Sequence, residues 1–248
     1  MSRPLPPEKQ DSRLMRELFH TVSPRYDFIT RVFSYGMDPG WKRRAVERAQ
    51  LPEKAVVLDL ACGTGDFTRL VAARRPQSVA VSADLVLNML RLARAGGVPR
   101  PVCADAMRLP FAEGTFDAVF TGYGIRNFPD LAGALREIRR VLRPGGVLVT
   151  LDFFLPRNRL FRALYLGYLY AQGFFWGLVL HGRPRIYTYI PDSLATFVTL
   201  EEYSQIAARC GFQVREAKGF ILGGIGLQWA ARAGSSAKKG RKKYAESR

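Results

Sequence analysis

At 248 residues the chain can bury a full core, and its length suits one α/β domain with additions better than two small domains. Its formal net charge of +17 implies attraction to something anionic, whether nucleic acid, a lipid surface or an acidic partner. Three scattered cysteines, Cys62, Cys103 and Cys210, exclude a disulfide framework, and with only two histidines, His20 and His181, no metal site is expected.

The first ten residues carry charge and proline but no apolar core, so no secretory signal is expected and the protein should stay inside the cell. Residues 1–50 then form an N-terminal helical cap, with helix-compatible text at Arg13 to Val22 and Trp41 to Ala49. From 51 to 232, short apolar runs at Ala55 to Leu60, Ser78 to Ala83, Val102 to Cys103, Phe116 to Thr121 and Val147 to Phe153 alternate with helical patterns. Those helices fall at Phe67 to Arg74, Leu87 to Arg94 and Leu131 to Leu142. Such alternation predicts a doubly wound, mostly parallel, seven-stranded sheet. Arg143-Pro144-Gly145-Gly146 should break the chain before the fifth strand.

Residues 157–195 are a helical insertion in which Ala163 to Leu180 carries no formal charge over nearly the length needed to cross a bilayer. Later strands must still return to the sheet, so a buried or interfacial cover over an apolar substrate is expected instead of a span. Leu200 to Cys210 reads as a helix closed by Gly211, followed by strands at Phe212 to Ala217 and Phe220 to Ala230 with antiparallel edge pairing. Residues 233–248, with six positive and one negative side chain after Ala237, read as a basic disordered tail.

The run Val56-Val-Leu-Asp-Leu-Ala-Cys-Gly-Thr-Gly-Asp66 is a buried strand breaking into glycines two apart, where the absent Cβ atoms of Gly63 and Gly65 would admit a nucleoside. A dinucleotide fingerprint needs a third glycine, which is missing after Gly65-Asp66-Phe67-Thr68. Asp59 repels phosphate and suits a cationic amino acid, which favours the methyl donor S-adenosylmethionine over a dinucleotide. Ligands of open parallel sheets bind beyond the carboxyl ends of the strands. Asp59, Gly63, Thr64 and Gly65 follow the first strand, Asp84 and Leu85 the second, Asp105 and Ala106 the third, and Gly122, Tyr123 and Gly124 the fourth. Asp84 can accept from both ribose hydroxyls, although it could instead cap the next helix. Asp105 can accept from an adenine amino group or be a solvated loop acid.

Over about Phe19 to Trp229 the chain resembles the class I S-adenosylmethionine methyltransferases, Rossmann-like in fold, and within them the ubiquinone/menaquinone biosynthesis C-methyltransferases. The resemblance rests on Tyr26-Asp27, Ser34, Trp41-Lys42-Arg43, Asp59 to Asp66, Gly124-Ile125-Arg126-Asn127, Arg140 to Gly146, and Tyr187-x-Tyr189-Ile190-Pro191-x-Ser193. The chain departs from the family pattern with Phe28-Ile29-Thr30 after Tyr-Asp, Met37 to Gly40 before Trp41, Asp152-Phe153-Phe154 after the fifth strand and Gly122 at a hydroxyl position.

What the resemblance implies is ring methylation of a polyprenyl quinol, with demethylmenaquinol the expected acceptor; a ubiquinone precursor, another lipid or a polycyclic metabolite stay open. It also implies that Arg126, Asn127 and Tyr26 share the catalytic task. Arginine stays protonated, so Arg126 would stabilise a developing phenolate and not remove a proton. A surface ion pair with Asp130 is the structural alternative for Arg126. An apolar acceptor would bring the enzyme to the anionic inner face of the cell membrane as a peripheral, cytoplasmic protein. No nucleic-acid partner is expected, since RNA-binding modules are lacking, and a homodimer stays open.

Overall fold

The computed structural model describes residues 12–234, so the expected basic tail beyond Gly234 lies outside the described residues. Three helices open the described chain: α1 (Ser12–Val22), α2 (Tyr26–Phe33) and α3 (Asp38–Arg48). They are followed by β1 (Val56–Leu60), α4 (Asp66–Arg74), β2 (Val79–Asp84), α5 (Leu87–Ala95), β3 (Pro101–Cys103) and β4 (Phe116–Gly122). Then come α6 (Leu131–Val141), β5 (Leu142–Phe153), α7 (Arg159–His181), α8 (Tyr189–Ala195), α9 (Leu200–Arg209), β6 (Phe212–Phe220) and β7 (Ile225–Arg232).

The seven strands form one sheet in the order β3-β2-β1-β4-β5-β7-β6. β1 to β5 pair in parallel, whereas β7 runs antiparallel to both β5 and β6. Alternating residues feed two cores, because successive side chains of a strand point to opposite faces. Val57, Phe120, Val149 and Trp229 pack on one face with Phe67 and Trp41, while Leu58, Val119, Leu148 and Ala230 pack on the other with Leu135 and Tyr203. The order reverses at β1, which places the switch point of the sheet beside the glycine turn.

Three boundaries differ from expectation. The helix α2 carries Tyr26 and was not evident from its short mixed pattern. Arg143 to Gly146 belongs to β5, where Leu142 pairs with Phe116 and the register shifts before Ala118 pairs with Val147. Gly145, with φ +79°, absorbs that irregularity. β6 runs on to Phe220 and β7 starts only at Ile225, because Ile221, Leu222 and Gly223 all take left-handed φ values and make the turn.

Candidate active site

The turn after β1 is built from left-handed residues, Ala61 (φ +53°), Gly63 (φ +54°) and Gly65 (φ +89°). Cys62 N–H donates to the Ala83 carbonyl at 3.0 Å and so ties the turn to β2. Gly63 opens onto a cavity opposite Tyr26, whose Cε1 lies 3.3 Å from where a Cβ would stand. Gly65 has a different reason: a Cβ there would meet Val98 Cγ2 at 2.5 Å, and its φ starts α4. The second glycine thus serves packing and backbone shape.

Asp84, buried at the end of β2, accepts from Gly63 N–H at 2.9 Å through Oδ2 and from Val86 N–H at 2.8 Å through Oδ1. It does not cap α5, whose N-cap is Val86. Burial raises its carboxyl pKa, opposed by these amide donors. Leu85, Ala106, Gly122, Asn127 and Tyr26 line the same cavity, as do Asp84 and Asp105, and Phe19 of α1 joins Tyr26 from the cap. Asp105 is exposed and accepts from Met107 N–H at 2.9 Å.

Asp59, Thr64, Gly65 and Arg126 are not among the lining residues of this cavity. Asp59 lies behind the turn, where Thr68 N–H and Oγ1–H both donate to Oδ2 at 2.9 Å and hold the first turn of α4. Burial pushes its carboxyl up to about 7 against these donors. Thr64 Oγ1–H donates to Asp27 Oδ1 at 2.7 Å and links the turn to the cap.

Arg126 sits in the short turn after β4, buried, and does not pair with Asp130, which instead lies 3.6 Å from Arg136. Its Nη1 donates to Asp152 Oδ1 and to the Tyr123 carbonyl, both at 2.7 Å, and its guanidinium lies 5.2 Å from the Phe153 ring centre. Burial opposes its charge, yet Asp152 keeps the guanidinium protonated. Tyr189 of α8 packs edge-on to Phe19 at 5.4 Å, and its phenol feels the positive charge of the same guanidinium. Burial raises the phenols of Tyr26, Tyr123 and Tyr189, which therefore stay protonated. Arg126 Nε and Asn127 Oδ1 are buried without a hydrogen-bond partner.

A second buried network fastens the cap. Lys42 Nζ lies 2.7 Å from Asp38 and 2.6 Å from Asp66, and Tyr123 O–H donates to Asp38 Oδ1 at 2.9 Å. Burial disfavours the ammonium, but the two carboxylates raise its pKa. Asp38, Lys42, Asp152 and Tyr189 escaped the strand-end reading, whereas Tyr123, expected after the fourth strand, does line the cavity; Trp41-Lys42-Arg43 and Tyr187-x-Tyr189 were visible only as text matching a pattern. His181 is held by Tyr187, with Nε2 and the phenol oxygen 2.8 Å apart, and is not a lining residue of the cavity.

A reversed seven-stranded sheet with a glycine turn and a buried acid at consecutive strand ends defines a class I S-adenosylmethionine-dependent methyltransferase. Solved structures share this fold: the [4+2]-cyclase SpnF has a TM-score of 0.67 at 16% identity, covering 94% of this chain and 99% of that one. A possible histamine N-methyltransferase of Thermotoga maritima has a TM-score of 0.61 at 20% identity, over 88% of this chain and 99% of that one. The model of the ubiE/COQ5 methyltransferase family matches residues 8–232, and the chain belongs to that family. Its relatives include the demethylmenaquinone methyltransferase of Deinococcus radiodurans, 39% identical over 86% of this chain and 91% of that protein. The ubiquinone/menaquinone biosynthesis C-methyltransferase UbiE of Geobacter sulfurreducens is 38% identical over 80% of each chain. The protein is thus a methyltransferase whose methyl donor is S-adenosylmethionine.

Proposed function

We propose that the enzyme methylates a ring carbon of a polyprenylated quinol, with demethylmenaquinol as acceptor and menaquinol as product. The observation that carries this reading is that Tyr26 and Asn127 line the same cavity, with the buried Arg126–Asp152 pair next to Asn127 in the chain. The names of the Deinococcus and Geobacter relatives support the acceptor class.

The cavity suits a nucleoside. Gly63 gives backbone access, Asp84 offers a buried carboxylate for the ribose, and Leu85 and Ala106 make apolar walls near Asp105 for the base. When bound, S-adenosylmethionine supplies an electrophilic methyl group on a cationic sulfur. Asn127 Oδ1, left without a protein donor, accepts from the acceptor hydroxyl, and once that hydroxyl has lost its proton to solvent the Tyr26 phenol donates to the resulting phenolate oxygen. Arg126 acts as a fixed positive charge, and its partner Asp152 holds it in register. The ring carbon forms its bond to the methyl group as the methyl–sulfur bond breaks and a neutral thioether leaves, and the proton that this carbon then gives up to solvent restores aromaticity.

Polyprenyl acceptors reside in the bilayer, so an anionic membrane surface on the cytoplasmic side is the proposed workplace, reached in part through the basic residues beyond Gly234. The test is incubation of purified protein with methyl-labelled S-adenosylmethionine and, separately, demethylmenaquinol, a ubiquinol precursor and bulk RNA. Label is expected in the first. Label in the ubiquinol precursor alone would move the enzyme to that pathway, and label in RNA but neither quinol would sink the reading.

A further inference from the structure

Helix α7 packs through a stripe at i, i+4 spacing, Tyr165, Leu169, Gly173 and Gly177, all buried. Its glycines let backbone touch backbone: a Cβ at Gly173 would lie 3.0 Å from the Tyr187 carbonyl oxygen, and one at Gly177 2.6 Å from that of Arg183. The opposite face is a different surface. Leu160, Leu164, Phe174, Phe175, Leu178 and Val179 are each more than half exposed, although large apolar side chains are ordinarily covered.

Two neighbours enlarge this face. Tyr35, just after α2, stacks on Tyr168 at 5.7 Å, and Phe28 of α2 meets the half-buried Trp176 edge-on at 5.1 Å, while Tyr35, Tyr168 and Phe28 stay exposed. The turn between β6 and β7 adds Leu222, which is 77% exposed, shares a groove with Leu160 and Leu164, and holds a left-handed φ of +50°. A branched residue rarely adopts that conformation.

Charge decides what covers the face. Between residues 157 and 185 there are five arginines and no acid, with Arg157, Arg159 and Arg162 before the uncharged stretch and Arg183 and Arg185 after it. Arg157 pairs with Glu201 at 3.5 Å, and the other four form no ion pair among the described residues, so two copies pairing through this face would still set arginine ends against arginine ends in either orientation, an arrangement that repels. Anionic headgroups answer both ends at once, while the acyl boundary takes the apolar strip. A span is incompatible with the packed stripe, because inserting α7 across the bilayer would strip Gly173 and Gly177 from their contacts.

We propose that the outward face of α7, extended by Phe28, Tyr35 and Leu222, is a docking surface that lies in the plane of an anionic bilayer. It deepens the membrane part of the reading above and does not depend on which acceptor is methylated. Docking this way sets α2, which carries Tyr26 at the cavity, against the membrane.

The test is flotation of the full chain with vesicles of mixed phosphatidylglycerol and phosphatidylcholine, for the parent and for Phe174→Glu/Leu178→Glu. The double variant is expected to lose at least about tenfold in partitioning, since two large apolar side chains no longer enter the interface. Val79→Glu, outside this face, should bind as the parent does. A second measurement uses the unaltered protein: Trp176 is half-buried on α7, whereas Trp41 and Trp229 are buried, so brominated acyl chains should quench its fluorescence. Absent quenching, or unchanged partitioning of the double variant, would overturn the proposal. So would conversion of a dimer to a monomer by the double variant with vesicle binding intact, which would assign the face to a second copy. A protein that docks but methylates no quinol would refute the acceptor and leave the docking face standing.

Discussion

At the scale of single residues, Asp84 and Asp59 are both buried strand-end acids, yet they do different work. Asp84 reaches the cavity while both its oxygens hold the backbone of adjacent loops. Replacing it by Ala should weaken S-adenosylmethionine binding about tenfold to a hundredfold, as loss of a charged hydrogen-bond acceptor does. Titration calorimetry reads this, and unchanged affinity would remove the ribose role. Asp59 has its carboxyl pushed up to about 7, so the folded state prefers the protonated acid. Its contribution to stability is therefore complete below the unfolded value of about 4 and is lost as pH rises to about 7. Asp59→Asn, neutral at every pH and still able to accept from Thr68, should gain in Tm over the parent between about pH 5 and about pH 8. An equal difference at both pH values would refute the burial of an ionising Asp59.

At the scale of elements, the alternation of apolar runs and helical patterns made β1 to β5 legible, because parallel strands buried on both faces read as continuous apolar text. The turn after β1 was legible as glycines, but their separate reasons were not. Gly63 faces Tyr26 of α2, and Gly65 faces Val98, contacts that only the folded chain creates. Gly65→Ala should destabilise by about 1–3 kcal/mol through left-handed strain and the clash with Val98. Adding Val98→Ala should relieve only the clash, so urea unfolding that shows full recovery would exclude the backbone share. The end of β6 was misplaced for a similar reason: Ile221 and Leu222 carry no turn signature, and it is their left-handed conformation that separates β6 from β7.

At the scale of the whole molecule, sheet order converts distant text into neighbours. β5 pairs with β4, which sets Asp152 beside Arg126 across 26 positions of sequence. The cap is fastened to the turn by Lys42 with Asp66 and by Asp27 with Thr64, so the cofactor loop and the cap are one mechanical unit. Net charge also belongs to this scale. Removal of the residues beyond Gly234 is expected to weaken binding to anionic vesicles at low salt, each basic residue contributing about 1 kcal/mol near the surface, and to matter little at high salt. Sedimentation with vesicles across a salt series checks this, and identical binding at low salt would deny that segment a part.

By itself the sequence determined the α/β alternation, the glycine turn, the acids ending β1 and β2, and an uncharged stretch too short of polarity for a loop. These are local properties, set by side-chain period and by the few residues that tolerate a turn. Only the tertiary structure decided that Asp84 faces the cavity while Asp59 lies behind it, that Arg126 is buried against Asp152 and not exposed beside Asp130, and which side of α7 is left bare. Each of these depends on which distant strand or helix arrives next to a residue, and a hydrophobic pattern carries no record of that partner.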